Sequence, residues 1–143
     1  MTVKQLSVFL ENKPGKLAEI LLVLKQQNID IRSLSLADTA EFGILRMIVT
    51  DPQKAYSELK KGFFQVSLTD VVAVAVEDAP GGLHAVLTCL QEAGVSVEYA
   101  YAFVGTRAGS AYVIMRTDDT ARAVEAFSQK NIHMLSETEM LSL

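Results

Sequence analysis

Glu11-Asn12-Lys13-Pro14-Gly15-Lys16-Leu17 returns as Glu77-Asp78-Ala79-Pro80-Gly81-Gly82-Leu83, 66 residues further along a chain of 143. The apolar ladder that follows, Leu17, Ile20, Leu21 and Leu24, recurs as Leu83, Val86, Leu87 and Leu90 at the same offset. Asn28-Ile29-Asp30-Ile31 likewise recurs as Gly94-Val95-Ser96-Val97. Further on, Arg46-Met47-Ile48-Val49-Thr50-Asp51 aligns with Val113-Ile114-Met115-Arg116-Thr117-Asp118 at 67, which puts one inserted residue into the connection between, where insertions are tolerated. Residues 64–72 resemble 133–141 in pattern, so a boundary falls near Asp70. A fixed internal period decides an architecture before any local reading does. It predicts two similar units, 1–70 and 71–143.

Within a unit, period and punctuation give the elements. Residues 3–10 are β-rich and loosely alternating, and Pro14-Gly15 then opens a helix with apolar residues at i, i+3, i+4 and i+7. Residues 29–37 and 44–50 read as strands joined by a short polar connection, 38–43. Asp51-Pro52 pairs an N-cap acceptor with a proline at the first helical position, and Ala55, Leu59 and Phe63 continue a helical stripe. Residues 64–68 read as a strand. The order is βαββαβ, the ferredoxin-like pattern, and the second half repeats it with helices near 82–93 and 119–130. The fold class is α+β. An antiparallel sheet with both helices on one face leaves an edge or the other face to be covered, and a tandem copy can supply that cover.

Composition narrows the function. Half the residues are apolar and 21% are charged, which supplies a proper core and excludes disorder as the main state. The net charge of −4 offers no field to attract phosphates, so nucleic acid is not an expected partner. The single cysteine, Cys89, cannot form an internal disulfide and fits a reducing, cytoplasmic compartment. Apolar runs such as 20–24 and 71–76 fall far short of the roughly 20 residues of a membrane span, and residues 1–10 lack a signal-peptide layout.

Catalytic and metal chemistry find little support. His84 and His133 are the only histidines and lie in different elements, so no metal constellation can be spelled with Cys89. Cys89 sits beside a core stripe with no nearby cation and reads as filler, not nucleophile. Gly105-Thr106-Arg107-Ala108-Gly109 lies between two strands and reads as a hairpin tip, not a phosphate loop. Asp118-Asp119 stands at a helix start, where capping and the helix dipole account for it. Tyr99, Tyr101 and Phe103, with Val95 and Val97, fall on one strand face opposite Ala100 and Ala102, and read as packing. What remains is the Pro-Gly turn written twice. Glycine lets backbone approach a ligand closely, and the helix start behind it presents N–H groups suited to a carboxylate. The alternative is that Pro14-Gly15 and Pro80-Gly81 only start helices. Lys13 and Lys16 flank the first copy alone.

Strand, x-x-Pro-Gly-x-Leu helix, then an Asn-Ile-Asp-Ile or Val-Ser-Val strand, inside βαββαβ and repeated, resembles the ACT domain, the small-molecule regulatory module of amino-acid metabolism. The resemblance covers nearly the whole chain and implies a stand-alone tandem ACT protein with no catalytic domain and no cofactor. It implies two units side by side in one eight-stranded antiparallel sheet with helices on one face, and an amino acid or related effector bound at the interface of the repeats. The ligand-binding positions it implies are Asn12, Lys13, Pro14, Gly15, Leu17 and Asp30 in the first repeat. In the second they are Asp78, Pro80, Gly81, Gly82, Leu83 and Ser96. In the family's serine-sensing version a His precedes the loop Asn by two residues, and an Asn begins the next strand. Leu10 and Val76, and Asp30 and Ser96, stand there instead, which argues against serine. The family's pairing would set Asn12, Lys13 and Gly15 with Ser96, and Asp78 and Gly81 with Asp30. Two carboxylates oppose a ligand carboxylate, so the Asn12 site is expected to be the tighter. Two function classes follow: an amino-acid sensor, or a regulatory or interaction subunit of an amino-acid metabolic enzyme without ligand binding of its own. A homodimer is compatible with both.

Overall fold

Leu6, Val8 and Leu10 alternate with Ser7, Phe9 and Glu11 along β1 (Val3–Glu11), burying the first set and leaving the second half-buried or exposed, in a computed structural model that describes residues 1–38, 41–103 and 108–143. Helix α1 (Lys16–Gln26) follows and turns Ile20 and Leu24 inward. Next come β2 (Ile31–Asp38), β3 (Phe42–Val49) and α2 (Pro52–Lys61). Helix α2 starts where Asp51 accepts the Lys54 amide at 3.1 Å with Pro52 behind it. A single long strand, β4 (Gln65–Glu77), leads into α3 (Gly82–Glu92), β5 (Val97–Phe103) and β6 (Ser110–Thr117). Helix α4 (Thr120–Gln129) starts on Asp119, which accepts the Arg122 amide at 3.0 Å. The last element, α5 (Glu137–Ser142), starts on a capping box between Ser136 and Glu139.

The chain divides into two compact units, Lys4–Thr69 on the one hand and Met1–Val3 with Asp70–Leu143 on the other. In the first, Ile20 and Leu24 of α1 and Ala55 and Leu59 of α2 pack on Leu6, Val8, Leu45 and Met47. In the second, Val86 and Leu90 of α3 and Ala123 and Phe127 of α4 pack on Val72, Val74, Val113 and Met115. Each unit is therefore a helix layer on one sheet face, as its hydrophobic stripes require.

The strand order is β2-β3-β1-β4-β6-β5, six strands where eight were expected. Two anticipated strands, 64–68 and the one opening the second repeat, are merged in β4 without an intervening turn. The final strand is reduced to one bridge, Val74 to Met134, secured because Ala75 donates to the His133 carbonyl and Leu135 to that of Ala73, at 2.9 and 2.8 Å. Most of the tail expected to mirror 64–72 is instead α5, since Ser136 and Glu139 give it a helix start that the first repeat lacks.

The ladders also revise the repeat alignment. Val8 faces Leu45 and Val74 faces Val113, while Leu6 faces Met47 and Val72 faces Met115. The later elements are thus offset by 68, not 67, with two residues entering the hairpin. The physical reason is face parity: an offset of 67 would match core-facing Met47 to Ile114 on the opposite face of β6. Parity corrects a second reading. Both outer strands carry a bulge, after Ile31 and after Val97, so Val97 joins the helix-side core while Tyr99, Tyr101 and Phe103 point to the other face. There the Phe103 and Tyr112 rings stack at 5.3 Å. Residues 104–107 of the glycine-containing tip lie outside the described residues.

Four helix ends share one geometry. After α1, α2, α3 and α4 the amide two residues past the cap residue returns to the helix, Ile29 to Leu24, Phe64 to Leu59, Val95 to Leu90 and Ile132 to Phe127, at 2.9 to 3.1 Å. This is the Schellman arrangement, whose residue after the cap takes positive φ. That residue is Asn28, Gly94 and Asn131 in three cases, all suited to the left-handed region. In the fourth it is Phe63, at φ 65°, 97% exposed. Gly62 sits one place too early to relieve it, at φ −80°.

Candidate functional site

The twice-written turn folds alike in both units. Gly15 and Gly81 are the cap residues of α1 and α3, at φ 87° and 89°, with nothing within 4 Å of where a Cβ would stand. Pro14 and Pro80 therefore precede the caps instead of occupying the first helical position, and the left-handed glycine makes the turn. No side chain caps α1 or α3, whereas Asp51, Asp119 and Ser136 cap the other three helices. The first amides of α1 and α3, those of Lys16 and Gly82, donate back to the Lys13 and Ala79 carbonyls at 3.3 and 3.1 Å, which leaves the next amides of each first turn without a side-chain cap. Gly82 has a different task. A Cβ there would overlap the Glu77 carbonyl, so the first turn of α3 lies directly on the end of β4. Lys16 holds the matching place in the first unit.

The first unit fixes its turn to the β2–β3 hairpin. Asn12 donates from Nδ2 to Asp38 Oδ1 at 2.6 Å and to the Phe42 carbonyl at 3.1 Å, and its amide donates to the Glu41 carbonyl at 3.0 Å. In the second unit the Asp78 amide makes the matching bond to Gly109 at 3.1 Å, but a carboxylate cannot donate as the Asn12 side chain does. Lys13 lies 2.8 Å from Glu11, and this hydrogen bond and charge hold the Glu11 carboxyl below the usual range and raise the lysine. Lys16 pairs with Glu19 at 3.6 Å. Leu17 is partly buried against the core, and Leu83 is 40% exposed.

Asp30 and Ser96 lie at the far ends of α1 and α3 from the turns of their own units, a separation of about 16 Å for an eleven-residue helix. The Asp30 amide donates to Thr50 Oγ1 at 3.0 Å and its carboxylate lies 3.5 Å from Arg32. The Ser96 amide donates to Asp118 Oδ1 at 2.9 Å. Within a unit, then, the expected site residues fall into two groups.

One feature of the first unit escaped sequence reasoning. The end of β1, the first turns of α1 and the α2–β4 turn border a cavity of about 610 Å³ lined by Phe9, Phe42, Phe63 and Phe64, with Lys16 and Glu19 among its charged groups. The available signal was that four of the chain's six phenylalanines fall in one repeat, none matched by an aromatic residue in the other. Among the described residues no cluster of three or more His, Cys, Asp or Glu is arranged to hold a metal, and no helix is long and apolar enough to cross a membrane. Cys89 is buried, its thiol donates to the Ala126 carbonyl at 3.5 Å, and burial pushes its pKa up, which makes it a poor nucleophile.

Comparison with known proteins bears on the family and the fold. The family model described as an ACT domain pair matches residues 1–143. The crystal structure of protein BT0572 from Bacteroides thetaiotaomicron is 41% identical, with a TM-score of 0.94 over 100% of this chain and 98% of that one. The ligand-free regulatory subunit of aspartate kinase from Thermus thermophilus shares the fold at 16% identity, with a TM-score of 0.65 over 88% of this chain and 91% of that one. The corresponding subunit from Thermus flavus gives 0.61 at 16% identity, over 88% and 90%. A comparison with curated proteins found no match.

Proposed function

Because the chain belongs to the ACT domain pair family, we propose that it is a non-catalytic regulatory protein that binds an amino acid or related effector at the turns between β1 and α1 and between β4 and α3. The observation that carries this reading is the contrast among helix starts. Three are closed by side-chain caps, while the two behind the repeated Pro-Gly turns are uncapped and begin on left-handed glycines with open space beside them. A helix start of this kind attracts a carboxylate through its N–H groups and dipole. Family membership supplies the rest, since a small-molecule regulatory role goes with the ACT domain. The state of the ligand would be passed to an enzyme of amino-acid metabolism or to a second copy of this chain. Support for an enzyme partner comes from the aspartate kinase regulatory subunits that share the fold.

Thermal unfolding against each of the amino acids tests it. A ligand that binds only the native state adds about 2.7 kcal/mol at a hundredfold excess over Kd, which raises the melting temperature by several degrees. Flat curves for every amino acid would overturn ligand binding and favour a regulatory subunit without a ligand of its own.

A further inference from the structure

Of the four rings around the cavity of the first unit, Phe64 packs against the helix-side core, while Phe9, Phe42 and Phe63 are exposed. Its volume of about 610 Å³ lies within the range of small-molecule sites, roughly 300–1,000 Å³, and four phenylalanines stand in its wall among charged and polar groups. Phe9 and Phe42 are 43% and 49% exposed, and Phe63 stands almost fully in solvent on a backbone conformation that disfavours it. Strain and exposure together at one place are the mark of a functional constraint.

The second unit serves as an internal control. At the ladder-matched positions it carries Ala75 for Phe9, Ser110 for Phe42, Asn131 for Phe63 and Ile132 for Phe64. The same backbone is thus built without a single aromatic ring there, so the fold does not require them. The exchange is also coupled. A Cβ on Gly62 would come within 3.2 Å of the Phe64 ring, and the second unit, which lacks that ring, carries Lys130 at this place. Lys16, Glu11 and Glu19 also line the cavity, but Lys16 lies 3.6 Å from Glu19 and Glu11 2.8 Å from Lys13, so these charges are paired and the rings carry the selectivity.

We propose that this cavity receives the aromatic side chain of an amino-acid ligand, so that the first unit selects an aromatic amino acid and the second does not. The proposal rests on the reading of the chain as an amino-acid-binding protein and adds the ligand class. The test is calorimetric titration of the full chain with L-phenylalanine, L-serine and L-aspartate, repeated on Phe63→Asn and Phe42→Ser, each of which installs the second unit's residue. Phe63→Asn is the variant that keeps its fold, since the ring it removes is almost fully exposed. L-phenylalanine should bind the parent more tightly than the other two, and both variants should weaken it by about tenfold, the scale of one aromatic pair. Binding of L-serine or L-aspartate as tight as that of L-phenylalanine overturns the aromatic site and leaves the regulatory reading standing. Heat from none of the three overturns the aromatic site, and the thermal scan against the remaining amino acids then decides separately whether the chain binds any of them. Unchanged L-phenylalanine affinity in Phe63→Asn, with a change in sedimentation coefficient instead, makes the ring a contact between copies and overturns the site.

Discussion

Replacing Phe63 by Asn should make the ligand-free protein more stable, although it deletes a large apolar side chain. The ring is 97% exposed, so at about 25 cal/mol per Å² almost no burial is lost. The backbone sits at φ 65°, and the left-handed region costs an ordinary L-residue roughly 1–2 kcal/mol, of which Asn recovers the larger part. The expected gain is about 1 kcal/mol, or roughly 2–4 °C in melting temperature for a chain of this size. Phe63→Gly should gain less, because glycine adds freedom to the unfolded chain. The reciprocal change, Asn131→Phe, occupies the matching turn and should lose about 1 kcal/mol. Urea unfolding reads all three as displaced midpoints at constant slope. A clear loss of stability in Phe63→Asn would refute the reasoning, since it would mean that the ring makes a contact worth more than the strain.

Three other perturbations have calculable outcomes. Gly82→Ala drives a methyl into the Glu77 carbonyl and should cost about 2 kcal/mol or more by urea unfolding, whereas the matching Lys16→Ala should stay within about 0.5 kcal/mol. Asp51→Ala and Asp119→Ala each remove a side-chain cap at 3.0–3.1 Å and should each cost about 1 kcal/mol, with nearly additive losses in the double variant. The Glu139 carboxyl is held below its ordinary value of 4.5 chiefly by the Ser136 amide, with the nearby His133 charge lowering it further. A lowered folded pKa means that its contribution is present above the unfolded value and lost as pH falls through the folded one. Exchange protection of the Met140 amide, which donates to Ser136, should therefore decline below about pH 4.5, and Glu139→Gln should flatten that decline.

The repeat, the element types up to α4 and the helix stripes were legible in the sequence because each rests on local periodicity: Leu17, Ile20 and Leu24 need only the helical period to declare a face. What was not legible depends on register. The bulge after Val97 reverses parity without any residue that announces it, so Val97 and Tyr99 read as sharing a face until their partners Thr117 and Arg116 are known. The 68-residue offset is hidden for the same reason, since Ile114 and Met115 are equally apolar and only pairing tells which of them meets the helices. The turn residues were found because proline and glycine punctuate locally. The aromatic cavity was missed because Phe9, Phe42 and Phe63 come from three separate segments, and Phe42 falls in what reads as the polar connection 38–43. Phe63 even continued a helical stripe on paper, but α2 ends at Lys61 and the turn carries the ring outward.

The division between the units falls at Asp70, in the middle of β4, and that location constrains how the gene can change. Proteins tolerate cuts, insertions and permuted ends in exposed loops, because backbone there is not committed to a ladder. Here the junction left by the internal repeat has no loop. New termini or an inserted domain at residue 70 would interrupt a thirteen-residue strand and strip hydrogen bonds from it, so each half expressed alone should be less stable than it is in the full chain. The repeat, once joined through a strand, can diverge residue by residue, but it can no longer be taken apart.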